Sequence, residues 1–203
     1  MYVPASIIVS GDAAATANNI VASEWTFRLS IVSNIVSQVT FVFLVLTLNR
    51  LFKDVDWRQA KLMVTIVTVA VPIAILNTLN LIGALMINDE VAYLQAFDTE
   101  QRNSLVLVFL RLYEQGLLLA GIFWGLWLFP FGILVMRSGF IPKILGFFLI
   151  IGCFAYLIDS LVGLMLPQYK ETVSPILMLP LAIGEFSVIF YFLIKGVREV
   201  KRA

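Results

Sequence analysis

Five windows of mostly apolar residues divide the chain, at 27–48, 62–87, 105–135, 144–166 and 174–194. Each is long enough to cross roughly 30 Å of hydrocarbon as a helix rising about 1.5 Å per residue. The pattern therefore predicts an all-α membrane protein, a five-helix transmembrane bundle. The third window is too long for one straight crossing, and Pro130 within it predicts a bend.

The polar intervals add an orientation. Arg50, Lys53, Arg58 and Lys61 follow the first window, Arg137 and Lys143 the third, and Lys195, Arg198, Lys201 and Arg202 the fifth. The alternate intervals carry mainly acids, among them Asp89, Glu90, Asp98 and Glu100. Basic loops are retained in the cytoplasm, so the expectation is an N-out, C-in bundle.

Residues 1–26 form a different, extracytoplasmic segment. They lack the basic start of a secretory signal peptide. Asp12 ahead of Ala13-Ala14-Ala15-Thr16-Ala17 predicts the capped start of a short helix on the outer face, running toward Glu24, with Trp25 at the interface.

Composition agrees with the pattern and removes several functions. The 203 residues are 61% hydrophobic and 13% charged, and their mean hydropathy is +0.96, values foreign to a water-soluble domain. A net charge of +1 offers no basic excess for nucleic acid. With no His and one Cys, Cys153, the usual ligand sets for zinc, haem iron, copper or iron–sulfur clusters are missing, and neither metal nor cofactor is expected.

The run Gly11-Asp12-Ala13-Ala14-Ala15-Thr16-Ala17-Asn18-Asn19-Ile20, with Ser23-Glu24 and Phe27-Arg28 after it, resembles the opening of a family of bacterial multi-pass proteins known as domain of unknown function 4386. Arg137 to Gly146 is similar to that family's cytoplasmic turn, and Tyr156 to Ser160 and Leu179 to Glu185 to its last two spans. The resemblance covers nearly the whole chain and implies a bacterial multi-pass protein, which with the loop charges gives the expectation of the bacterial inner (cytoplasmic) membrane with a cytoplasmic C-terminus; it carries no activity. Typical members have one more apolar helix before the Gly-Asp-Ala-Ala-Ala-Thr segment, so this chain is expected to start late or to have lost a sixth span. Members also often carry His near the position of Tyr113-Glu114, so no His-based mechanism is carried over.

The chemistry rests on polar residues inside the windows. Arg111, Glu114, Asp159 and Glu185 are ionisable, and a charge near the bilayer centre costs roughly 2.5 to 3.5 kcal/mol on the insertion scale. Counted at about 1.5 Å per residue from the outer window ends, they lie some two to three turns deep, beside Asn34, Gln38, Asn77 and Asn80. The i, i+3 and i, i+4 spacings put Arg111 with Glu114, Asn77 with Asn80, and Asn34 with Gln38 on single faces. One inward stripe per helix is the expectation, making a polar pocket that opens outward above an apolar layer containing Trp127 and Phe131.

Arg111 and Asp159, matched in depth, are expected to form a structural ion pair. Glu114 and Glu185, with Asn77, Asn80, Tyr113, Asn34 and Gln38, are the expected ligand-binding residues. Pro175, Pro180 and Gly184 loosen the helix beside Glu185. The leading reading is binding, and transport, of a small cationic or lipophilic ligand. The alternatives are a structural or accessory subunit that meets a membrane partner or a second copy of itself, and a lipid or isoprenoid enzyme using carboxylate acid/base chemistry.

Overall fold

The computed structural model describes residues 7–9, 11–89 and 91–196. Glu90 and the basic tail residues Arg198, Lys201 and Arg202 lie outside the described residues. The described chain folds into α1 (Ala13–Ala22), α2 (Glu24–Phe52), α3 (Trp57–Met86), α4 (Thr99–Leu126), α5 (Leu128–Ser138), α6 (Lys143–Met165) and α7 (Lys170–Lys195). Short 3-10 turns at Ala92–Ala96 and Pro167–Tyr169 precede α4 and α7. Five segments are long and apolar enough to span a membrane: Glu24–Phe52, Trp57–Met86, Thr99–Ser138, Lys143–Met165 and Pro167–Lys195. The protein is therefore an all-α, multi-pass membrane protein.

Local chemistry explains the boundaries. The Asp12 carboxylate accepts a hydrogen bond of 2.8 Å from the Ala15 amide, the side-chain cap expected ahead of α1. The long third window breaks at Trp127, between α4 and α5. Pro130 has no N–H to give the Leu126 carbonyl, and its ring crowds that carbonyl, so the helix boundary falls three residues before the proline. Pro72, by contrast, stands inside α3 without interrupting it. Gly139 ends α5 at φ +72°, a left-handed conformation that glycine adopts without strain.

The contacts separate into two compact units, Met1–Thr40 with Pro72–Leu117, and Phe41–Val71 with Leu118–Ala203. In the first, one apolar cluster joins Ile7, Ala17 and Ile20 to Phe27 and Ile31 of α2, Leu81 and Leu85 of α3, and Val106, Leu110 and Tyr113 of α4. The Thr16 hydroxyl accepts from the Val9 amide at 3.0 Å and lies 3.1 Å from the Val9 carbonyl, which fastens segment 7–9 to α1.

In the second unit, α6 packs against both α5 and α7. Glycines set the separations. A Cβ on Gly146 would come within 2.5 Å of the Gly132 carbonyl, and one on Gly125 within 2.6 Å of Tyr156 Cβ, the close backbone approach that small residues permit where lipid supplies no hydrophobic drive for helices to associate. Trp127 stacks on Phe131 at 5.3 Å and meets the edge of Phe41 at 5.0 Å.

Three tethers gather one end of this unit. Asp56 caps α3 by accepting from the Arg58 and Gln59 amides at 3.1 and 3.2 Å, and it pairs with Arg137 at the end of α5. The Tyr191 hydroxyl of α7 donates to the Phe140 carbonyl at 2.7 Å. The Gln59 amide holds the Asp56 carboxyl below its usual value against the opposing effect of burial, with the Arg58 amide and the Arg137 charge adding to the depression.

Two predictions follow from this packing. Gly146→Ala should destabilise the protein by about 1 to 3 kcal/mol, because backbone must move, whereas Gly139→Ala, with nothing within 4 Å, should cost only the backbone strain of about 1 to 2 kcal/mol; thermal unfolding in detergent ranks the two. A carboxyl depressed in the fold stabilises above its unfolded pKa and ceases to as pH falls through its folded value. The gap in thermal midpoint between wild type and Asp56→Ala should thus be constant from pH 8 to about 5 and close below about 4.

Candidate functional site

Two polar sites stand within the membrane-spanning helices, one in each unit. In the first unit, three helices meet through side-chain amides and one phenol. Asn34 Nδ2 of α2 donates to the Tyr113 hydroxyl at 3.1 Å. Asn77 Nδ2 of α3 donates to the Tyr113 backbone carbonyl at 2.8 Å, and Asn80 Nδ2 donates to Asn77 Oδ1 at 2.9 Å. Asn34, Gln38, Asn77 and Tyr113 are buried, and Asn80 is half-buried. Gly116 makes the arrangement possible: a Cβ there would lie 1.9 Å from Asn77 Oδ1. The amides reach the α4 backbone only because that position carries no side chain, and the sequence reading gave Gly116 no role.

The stripe of α4 that turns inward carries Val106, Leu110 and Tyr113. Arg111 and Glu114, expected on that stripe, are exposed. The i, i+3 rule correctly put the two on one face; the apolar spacing of 106, 110 and 113 decides which face is buried. Both charges border a cavity of about 250 Å³ lined by Gln115, Leu107, Leu110 and the backbone segment Ile8, Val9 and Gly11.

The second unit holds the remaining two acids on the seam between α6 and α7. Asp159, expected to pair with Arg111, accepts a hydrogen bond from the Ser174 hydroxyl. Three residues earlier on α6, the Tyr156 hydroxyl stands beside the Glu185 carboxyl, close enough to interact with it. Glu185 also borders a cavity of about 110 Å³ whose other walls are apolar: Leu44 and Leu48 of α2, Trp127, Leu128 and Phe131, Leu149, and Val188, Ile189 and Phe192 of α7.

This corrects the sequence expectation that the layer of Trp127 and Phe131 is free of acids. The apolar window was counted from residue 174, but the helix begins at Lys170. Four more residues put Glu185 about 6 Å further along the helix from its start. Tyr156 and Ser174, the hydroxyl partners of the two acids, were not singled out by sequence reasoning. The i, i+3 spacing of Tyr156 and Asp159 was the available signal.

The profile of a protein family described as Domain of unknown function (DUF4386) matches residues 1–196. No curated protein and no solved structure matches the chain.

The amide–phenol pair predicts its own energetics. Asn34→Leu and Tyr113→Phe should each destabilise the protein, and their double-mutant cycle should return a coupling of about 0.6 to 1.7 kcal/mol, the range for interhelical hydrogen bonds in membranes. Additive effects would show that the bond contributes nothing.

Proposed function

The chain belongs to the DUF4386 family, a domain of unknown function, so its activity is read from its own residues, and we propose that it binds a lipophilic amine within the bilayer with Glu185 as the anionic anchor. One observation carries the reading: a carboxyl, with the Tyr156 hydroxyl beside it, is the polar group in an otherwise apolar cavity of about 110 Å³. That volume is on the scale of the ~150 Å³ apolar cavity that holds benzene in an engineered protein. It suits an ammonium head and a few methylenes. The rest of an alkyl tail would run out along Leu44 and Ile189, both 48% exposed. An ammonium donates to the carboxylate and cancels its charge, offsetting the cost of an acid in hydrocarbon.

The same reading sets the chain in the bacterial inner membrane with its C-terminus in the cytoplasm. The Asp56–Arg137 and Tyr191–Phe140 contacts support it by gathering the ends of α2, α5 and α7, which carry the basic residues, at one end of the second unit. A second reading, an accessory subunit whose polar residues fix helix register, is favoured by the Asn34–Tyr113–Asn77–Asn80 bonds, which engage those groups with one another.

Binding of octylammonium, measured by microcalorimetry on protein in uncharged detergent, should weaken at least about tenfold in Glu185→Gln. Octanol, which has the tail without the charge, should bind both forms alike. Gln keeps a partner for Tyr156, so the thermal midpoint should hold. Equal octylammonium affinity in the two forms would end the proposal.

A further inference from the structure

In the first unit, a groove of about 400 Å³ runs between the start of α2 and the end of α3. Both helices are long and apolar enough to span the bilayer, one from Glu24 and the other to Met86, so these two ends stand at one membrane surface. Along α2 the lining passes from Trp25 and Arg28 to Ile31 and Val32; along α3, which runs the other way, it passes from Asp89 through Met86 to Ile82. Trp25, 74% exposed, marks the interface with water. Arg28 lies about 4.5 Å further in and Val32 about 10 Å. Charged groups therefore occupy the surface end of the groove and apolar side chains the inner end, the order of headgroup and tail in a phospholipid.

The charges at the surface end are themselves ordered. Arg28 Nε donates to Glu24 Oε1 at 2.6 Å, a contact that leaves the two terminal nitrogens of the guanidinium available to an anion. Asp89 has no ion-pair partner among the described residues. A smaller recess of about 80 Å³ adjoins the groove, sharing Arg28, Leu85 and Asp89 with it and closed by Glu24, Asn88 and Ile20 of α1. Glu24 is one turn, about 6 Å, nearer the surface than Arg28, and Asp89 lies past the last residue of α3. Two carboxylates thus stand outside one guanidinium, and the recess they border is one negative charge in excess.

We propose that the α2–α3 groove holds a phospholipid with a phosphoethanolamine headgroup, its phosphate on Arg28, its ammonium further out between Glu24 and Asp89, and one acyl chain along Ile31, Val32 and Ile82. The lipid then lies in the groove as it lies in the bilayer, headgroup at the surface and tail inward. Arginine matches phosphate through a fork of N–H donors, and a primary ammonium offers three N–H groups to carboxylates. A trimethylated choline head has no N–H to donate, and a glycerol head brings no cation to offset the second carboxylate. Ile35 and Leu79, exposed one turn further in on each helix, extend the apolar track for the tail. The site shares no residue with the Glu185 cavity and does not rest on that assignment.

The test is native mass spectrometry of the protein released from nanodiscs holding equal parts phosphatidylethanolamine, phosphatidylcholine and phosphatidylglycerol with the same acyl chains. The expected result is retained phosphatidylethanolamine in excess of each of the other two by about tenfold. Asp89→Asn should bring the ratio of phosphatidylethanolamine to phosphatidylcholine to within about threefold, and Arg28→Gln should cut retention of all three lipids. Ile82→Trp, which fills the groove and leaves the charges in place, should lower phosphatidylethanolamine retention by about tenfold. The three side chains are exposed, and thermal midpoints within a few degrees of wild type will show that the variants fold. Should any not fold, the wild-type preference and the remaining variants decide. Equal retention of the three lipids by the wild type would overturn the proposal. So would a preference unchanged in both charge variants, which would put the lipid elsewhere on the protein. Displacement of the lipid by millimolar soluble phosphoethanolamine, with Ile82→Trp without effect, would also overturn it, marking a site for the free headgroup alone.

Discussion

Hydrocarbon offers no hydrogen bonds, so each polar side chain in a membrane-spanning helix must find its partner in the protein or in something the protein holds. Most of this structure can be understood from that constraint. Asn34 and Asn77 converge on Tyr113, and Asn80 donates in turn to Asn77. Asp159 accepts from the Ser174 hydroxyl across the α6–α7 seam, and Glu185 has the Tyr156 hydroxyl beside it. The group that these contacts do not fully engage, Glu185 in its apolar cavity, is where a ligand has something to contribute.

Satisfying polar groups depends in turn on how near the helices come. Gly116 gives Asn77 access to the α4 backbone, Gly125 brings α4 against Tyr156 and Cys153, and Gly132 and Gly146 put two backbones in contact. Amide and carboxyl side chains are short, and a bulkier residue at any of these points would carry them out of hydrogen-bonding range. Small residues and polar residues thus act as one device: the first sets the separation and the second fixes the register. The helix boundary at Trp127, ahead of Pro130, belongs to the same arrangement, since Trp127, Leu128 and Phe131 beside it line the wall of the Glu185 cavity.

Much of the fold was legible in the sequence because its signals are local. Five long apolar windows, the Asp12 cap and the helix boundary ahead of Pro130 each follow from a few neighbouring residues, and the Gly-Asp-Ala-Ala-Ala-Thr opening pointed to the family. The faces of the helices were harder. Spacing put Arg111 and Glu114 together, but whether their face or that of Tyr113 turns inward depends on which apolar residues neighbouring helices accept. Depth was harder still, because the window that opens at Ser174 leaves out the turn of α7 before it, and a count from there lifts Glu185 out of its aromatic surroundings. Ser174 carried no signal as a partner, since its acid lies on another helix, and Tyr156 carried only its i, i+3 spacing from Asp159.

The most direct measurement is an experimental structure of the protein in lipid nanodiscs, at a resolution that shows bound lipid and small molecules. The expected result is non-protein density against the Glu185 carboxyl, enclosed by Leu44, Trp127 and Phe192, with Tyr156 still in contact. A collapsed cavity with no such density, and a Glu185 carboxyl satisfied wholly by protein groups, would contradict a ligand-holding acid and leave the polar residues with a structural role alone.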